Sequence, residues 1–191
     1  MSSTLIVILI ILGVIALAIL WGVVAYNGMI RSRNMVDQGW SGIDVQLKRR
    51  HDLIPNLVES VKGYAAHERQ TLEAVTAARE KAAASAGSPG AQARDEQALV
   101  TSVNRLLAVA ESYPDLKASA NFLQLQKELA NTEDRIQAAR RFFNGNVRDL
   151  NTRIAVFPSS LVASMFGFKP AEFFEVESTA VRQVVDVSFN G

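Results

Sequence analysis

The sequence predicts an all-α fold: an N-terminal transmembrane helix continuing into an up-and-down antiparallel helical bundle of three long helices plus a short fourth, with an irregular or short-strand C-terminal tail. Three observations carry this. The first 30 of 191 residues contain no Asp, Glu, Lys or Arg, and all 39 charged side chains lie from Arg31 onward. Beyond that point apolar residues recur at alternating spacings of three and four, the signature of helices that hide one stripe against a neighbour. The stripes are separated by short Gly- and Pro-marked connections. The implied organisation is a short segment 1–4, a transmembrane helix 5–26, a helical bundle 27–175 and a tail 176–191.

Leu5 to Tyr26 is a 22-residue run in which only Gly and Ala dilute Leu, Ile, Val and Trp. About 20 helical residues cross a hydrocarbon core of roughly 30 Å, so the run is long enough to span a bilayer. A cleaved signal peptide fits poorly, because Ser2-Ser3-Thr4 is uncharged, the apolar run is too long, and Ala16-Leu17-Ala18 lies inside it. Trp21 and Tyr26, followed by Arg31 and Arg33, read as an aromatic belt and basic stop. No Lys or Arg precedes the helix, whereas Arg31, Arg33, Lys48, Arg49 and Arg50 follow it, so the positive-inside rule places the C-terminal domain in the cytoplasm. Ala18 and Gly22 have small-xxx-small spacing, which also occurs as ordinary composition in apolar helices.

From Val36 the first stripe runs through Trp40, Ile43, Leu47, Ile54, Leu57, Val61 and Tyr64 to Leu72 and Val75. No Gly/Pro cluster interrupts it before Ala86-Gly87-Ser88-Pro89-Gly90, so an unbroken helix to that point is expected, kinked at Pro55, which removes the hydrogen bond to the His51 carbonyl. Leu99, Val103, Leu106, Leu107 and Ala110 form a second stripe that ends before Tyr113-Pro114-Asp115. The third runs from Phe122 through Leu129, Ile136, Phe143, Leu150 and Ile154 to Phe157 over some 36 residues, and Pro158 stops it. Ser159 to Phe168 reads as a short fourth helix with Ser159 or Ser160 as N-cap and Gly167 near its end. Val184 to Phe189 alternates like a strand but has no partner strand in the chain.

The chemistry is sparse. With no Cys there are no disulfides, thiolate nucleophiles or Cys-based metal sites. A net charge of +1 argues against nucleic-acid binding, which needs a basic surface. His51 and His67 are sixteen residues apart and neither has a second His at helical ligand spacing. His67-Glu68 has Thr71 where a zinc-protease helix needs its second His. Neither a phosphate loop nor a nucleophile elbow is present, so no catalytic residue, metal or cofactor is assigned.

Two polar features stand out. Arg50 falls on the inner register of the first stripe, where it either pairs with a carboxylate such as Glu111, Glu128 or Glu133, or sends its guanidinium to the surface while its stem packs. Thr132, Asn144 and Asn151 lie on or beside the third stripe, where buried polar groups fix helix register. All nine Phe occur from residue 122 onward, and Phe157, Phe166, Phe168, Phe173 and Phe174 cluster late. Exposed, these five form a docking surface; buried, they cap the bundle, which is the expected outcome for large aromatics.

Over nearly its whole length the chain resembles the LemA family. The resemblance rests on Tyr26-Asn27, on Asp44-Val45-Gln46-Leu47-Lys48-Arg49-Arg50-His51-Asp52-Leu53-Ile54-Pro55-Asn56-Leu57-Val58, and on Val61-Lys62-Gly63-Tyr64 with His67-Glu68. It continues through Glu111-Ser112-Tyr113-Pro114-Asp115-Leu116-Lys117-Ala118, Asn121-Phe122, Thr132-Glu133, Arg135-Ile136, Ala139-Arg140-Arg141, Asn144, Asn151-Thr152 and Phe157-Pro158. Phe142-Phe143-Asn144 departs from it, since a Tyr is expected just before the Asn, and it says little about Val176 to Gly191. The resemblance implies a single-pass protein of the bacterial cytoplasmic membrane, with a helical domain inside and no catalytic residues to carry over. It also implies association with membrane proteases or with membrane-organelle formation.

Two functional expectations follow. One is a non-enzymatic, homo-oligomeric scaffold or adaptor on the lipid bilayer, with membrane proteases or other membrane proteins as partners and no nucleic acid. The alternative is a ligand-sensing or enzymatic helical domain, which requires Arg49, Arg50, His51, Glu111 and Asn144 to converge in one polar pocket.

Overall fold

The computed structural model describes residues 3–175, and all regular structure among them is helical. Helix α1 spans Ser3–Lys62, α2 Arg69–Ala83, α3 Pro89–Ala110, α4 Pro114–Lys117, α5 Ala120–Ala155 and α6 Ser159–Met165. The predicted strand at 184–189 and the tail 176–191 lie outside the described residues.

The all-α expectation holds, with one correction to its first element. Rather than running on to Gly87, the first helix ends at Lys62. Around Gly63 the chain closes on the Val61 carbonyl, which accepts from Tyr64 N at 3.0 Å and Ala65 N at 2.8 Å. The break seats Ala65 in the core and lets α2 return Leu72 and Val75 to the cluster that holds Leu57 and Val61. From Ile54 onward the apolar stripe is therefore shared by two helices, which bury Ile54, Leu57, Val61, Leu72 and Val75 in one core, while Tyr64 at the break is 49% exposed.

The described residues form two compact units, and α1 and α5 contribute to both. The first comprises the residues up to Leu47 with Glu133–Glu172. Here Met29, Val36 and Ile43 on α1 are buried at seven-residue intervals, as are Ile136, Phe143 and Leu150 on α5. Three contacts fix the register. Arg153 Nη1 lies over Gly28, Asn146 Nδ2 donates to the Met35 carbonyl at 3.3 Å, and Phe143 sits against Gly39 and Trp40. Rising numbers on α1 meet falling numbers on α5, so the two segments are antiparallel. At Gly39 the backbones approach closely, because a Cβ there would lie 3.1 Å from Phe143 Cα.

Helix α6 belongs to the same unit. Its Val162 and Ala163 are buried against Met29, with Ala25, Tyr26, Ile154 and Phe168 around them. The cap differs from expectation: Pro158 is the N-cap residue, and Ser159 Oγ instead donates to the Arg153 and Val156 carbonyls at the end of α5. At the other end Phe168 N donates to Ala163 O and Gly167 N to Ser164 O, a Schellman motif that requires the positive φ of 69° at Gly167. Beyond it, Asn151 holds the chain through reciprocal bonds with Ala171 N and O at 2.8 and 2.9 Å.

Among the described residues the second unit comprises Lys48–Thr132 with 173–175. Its core joins Ile54, Leu57 and Val61 of α1, Val75 of α2, Leu99 and Leu106 of α3, Leu116 of α4 and Phe122 of α5. Ser88 starts α3 by accepting from Ala91 N at 3.4 Å, followed by Pro89 at the first helical position. Thr132 is fully buried, and its hydroxyl donates to the Glu128 carbonyl of its own helix at 2.8 Å.

Candidate functional site

The second unit encloses a polar cluster where α1, α2 and α3 meet. Arg50 Nη1 donates to Glu96 Oε2 at 2.8 Å, and His51 Nε2 lies 2.9 Å from Glu96 Oε1. The Arg50 and Glu96 side chains are only 4% and 5% exposed and that of His51 12%, so the carboxylate is clamped on both oxygens away from bulk water. Pro55 supplies the third link. Having no N–H, it leaves the His51 carbonyl without its helical donor, and Arg79 Nε of α2 takes that place at 2.7 Å. One turn of α1 is thus tied to α3 through side chains and to α2 through its backbone.

Arg50 is paired rather than turned to the surface, and a carboxylate that meets it is Glu96 of α3. Glu96 lies three residues after buried Ala93 and three before buried Leu99, so a Glu on the apolar stripe of α3 was the available signal. Arg79 likewise follows Leu72 and Val75 at helical spacing and precedes buried Ala82. Glu111 is exposed at the C-cap of α3, which removes it as a buried partner for Arg50. Arg49 is also exposed. Glu133 and Asn144 are half-buried and belong to the first unit. What comes together within the second unit is therefore Arg50, His51, Arg79 and Glu96.

The aromatic cluster divides. Phe174 is buried, and Phe168 and Phe173 are half-buried. Phe157 and Phe166 are 79% and 57% exposed, against the expectation that they cap the bundle. Both flank short α6, Phe157 in the link before it and Phe166 at its C-cap, and the face that α6 buries is filled by Val162 and Ala163. Phe166 and Phe168 flank Tyr26, with ring centroids at 4.7 and 5.8 Å.

Between the end of α1 and α2 the second unit also carries an open groove of about 740 Å³. Val58 and Leu72 give it an apolar floor, and Glu59, Lys62, Arg69 and Glu73 a rim of both signs. Among the described residues no group of three or more His, Asp or Glu side chains is placed to hold a metal ion.

A helical protein with an apolar leading helix and a sealed ionic clamp is the class these features define. The family model described as LemA family matches residues 39–189, and the chain belongs to that family. It is similar to Protein LemA of Metamycoplasma hominis, at 28% identity over 85% of this chain and 74% of the relative. It is also similar to Magnetosome protein MamQ of Magnetospirillum gryphiswaldense at 25% identity, and to Magnetosome protein MamQ 2 of Paramagnetospirillum magneticum at 26%, each covering 78% of this chain. The chain spans 64% of the length of either MamQ protein. The family match begins after the apolar run, so the case for a membrane rests on the leading helix itself. Its most apolar 18-residue window is long and apolar enough to cross a bilayer, and none of it is buried by the rest of the protein.

Proposed function

We propose that this protein is a single-pass membrane scaffold or adaptor, anchored by α1 in the bacterial cytoplasmic membrane, whose helical domain works on the cytoplasmic side by binding proteins rather than by catalysis. The observation that carries the reading is the uncovered leading helix. Leu9, Leu12, Leu17 and Leu20 are each about half exposed or more, and leaving such a surface in water forfeits about 25 cal/mol per Å² of apolar area. Lipid is the solvent that suits it.

The buried polar chemistry supports a non-enzymatic role. Glu96 is held on both oxygens by the protein's own side chains, which suits a clamp better than a reacting group. The alternative, a ligand-sensing pocket around Arg50 and His51, is weakened by the exposure of Arg49 and Glu111. Self-association in the membrane plane would convert weak contacts into avid ones, and the magnetosome proteins among the relatives favour a role in organising membranes. Membrane proteases are a further proposed partner class.

The test is full-length protein in native membranes and then in nanodiscs. Retention in the membrane after an alkaline wash, together with self-crosslinks at native abundance, is expected. Release by the wash would end the anchor, and strictly monomeric behaviour at every concentration would end the scaffold.

A further inference from the structure

The geometry points to a second membrane contact: the segment from Ile154 to Phe168, with α6 at its centre, lies in the interfacial layer of the same leaflet from which α1 emerges. This inference rests on the reading of α1 as a membrane span. Three independent observations lead to it.

The first is level along α1. Starting at Leu5, twenty residues at 1.5 Å each reach Val24 and fill about 30 Å of hydrocarbon. The next turn of α1 occupies the interfacial layer, roughly 5–7 Å thick on each side. The residues of α1 that receive Val162 and Ala163 of α6 are Ala25, Tyr26 and Met29. Packing therefore holds α6 beside the turn where the span leaves the hydrocarbon.

The second is composition. Between Arg153 and Lys169 lie fifteen consecutive residues without a charge, a run matched in this chain only by the N-terminal one. The third is exposure. With one side of α6 packed on α1, Phe157, Leu161, Met165 and Phe166 remain 79%, 59%, 78% and 57% exposed. A helix of a water-soluble domain normally turns charged and polar residues outward, whereas the exposed side here carries Leu161 and Met165 with Ser164 as its one exposed polar residue. Amphiphilic segments of this kind sink about 5–10 Å into the headgroup boundary. Arg153 and Lys169 bracket the run; the Arg153 guanidinium lies over Gly28 of α1, one turn beyond Val24, and Lys169 is exposed, which lets its charged end reach lipid phosphates. Tyr26, between Phe166 and Phe168, completes an aromatic group of the type that prefers this layer.

The chain has no Cys, so a single introduced thiol carries a unique label. Full-length M165C, L12C and T101C, each bearing an environment-sensitive fluorophore, are placed in nanodiscs of zwitterionic and anionic phospholipid. Quenching is measured with a lipid nitroxide near the top of the acyl chain and with aqueous iodide. Lipid quenching at 165 at least about twofold stronger than at 101, with protection from iodide, is the expected result. If position 12 is quenched by lipid while 165 is open to iodide, α6 does not touch the membrane, although the anchor stands. If 165 is shielded from both quenchers and crosslinks between copies, a second molecule covers α6 and the inference is overturned in favour of that interface. If position 12 is itself not quenched by lipid, the anchor fails and this contact with it.

Discussion

Glu96→Gln is the most direct probe of the ionic clamp. It removes the charge but keeps the shape, so Arg50 faces a neutral amide where it met a carboxylate at 2.8 Å. At an effective dielectric of about 20 two unit charges at that separation attract by roughly 6 kcal/mol, and desolvating the groups offsets much of this. Removing one member of such a buried pair typically costs about 3–5 kcal/mol. Gln retains one acceptor, so the lower figure, about 3 kcal/mol or roughly a 150-fold change in local opening, is expected. Hydrogen exchange of the full-length protein in nanodiscs reads this directly, since the clamp ties Lys48–Lys62 of α1 to α3. Peptides from both should exchange about a hundredfold faster, while those from the N-terminal half of α1 stay unchanged. The double variant R50M/E96L replaces charge with apolar volume and should recover to within about 1.5 kcal/mol of the wild type. Protection of α3 in E96Q within about threefold of the wild type would refute the reasoning, because the clamp would then contribute nothing to holding the helices together.

Three further outcomes are expected. Arg79→Ala should cost about 1–2 kcal/mol by stranding the His51 carbonyl, and markedly less in a Pro55→Ala background, where an amide N–H returns to bond that carbonyl; equal costs in both backgrounds, measured by hydrogen exchange, would show that the two residues are not coupled. Gly39→Val should cost about 1–3 kcal/mol, read as a lower melting temperature in nanodiscs, because even a Cβ there lies 3.1 Å from Phe143 Cα. The hydrogen bond from Lys81, with a second from Ser85, holds Asp95 below its ordinary 3.8, so the unfolded chain takes up the proton at higher pH than the folded one. The resulting α2–α3 stabilisation is present above about pH 4 and lost as pH falls through the lowered value, and an NMR titration of Lys81→Met should return Asp95 toward 3.8.

The first-order fold was legible because it depends on periodicity alone. The long α5 follows from a stripe that runs from Phe122 to Ile154 with no Gly or Pro inside it except Gly145, and Pro158 marks its end. Gly167 was legible as a helix terminus for the same local reason. The exposure of Phe157 and Phe166 was not, because composition says that an aromatic residue is apolar but not whether protein or lipid covers it. In a chain with an apolar leading helix those two solvents draw the same residues, and only the packing of Val162 and Ala163 onto Met29 separates the face that meets protein from the face that does not.

The composition of the ionic clamp turns on where α1 ends. Had α1 continued to Gly87, Arg79 would stand 28 residues beyond His51, about 42 Å along the helix axis, and no bond between them would be possible. The observed 2.7 Å contact exists only because the chain reverses after Lys62 and brings α2 back alongside α1. That reversal also decides the fate of Arg50. A straight helix would leave its guanidinium to find either water or a carboxylate on a distant part of the chain, and Glu111 looked suitable by sequence. With α2 folded back and α3 packed on it, the α3 position that faces Arg50 is the one between Ala93 and Leu99, and a carboxylate is what occupies it. Periodicity reports the angle at which a residue leaves its helix, but pairing depends on which turn of which helix lies opposite, and the weak break at Gly63 sets that for the whole cluster.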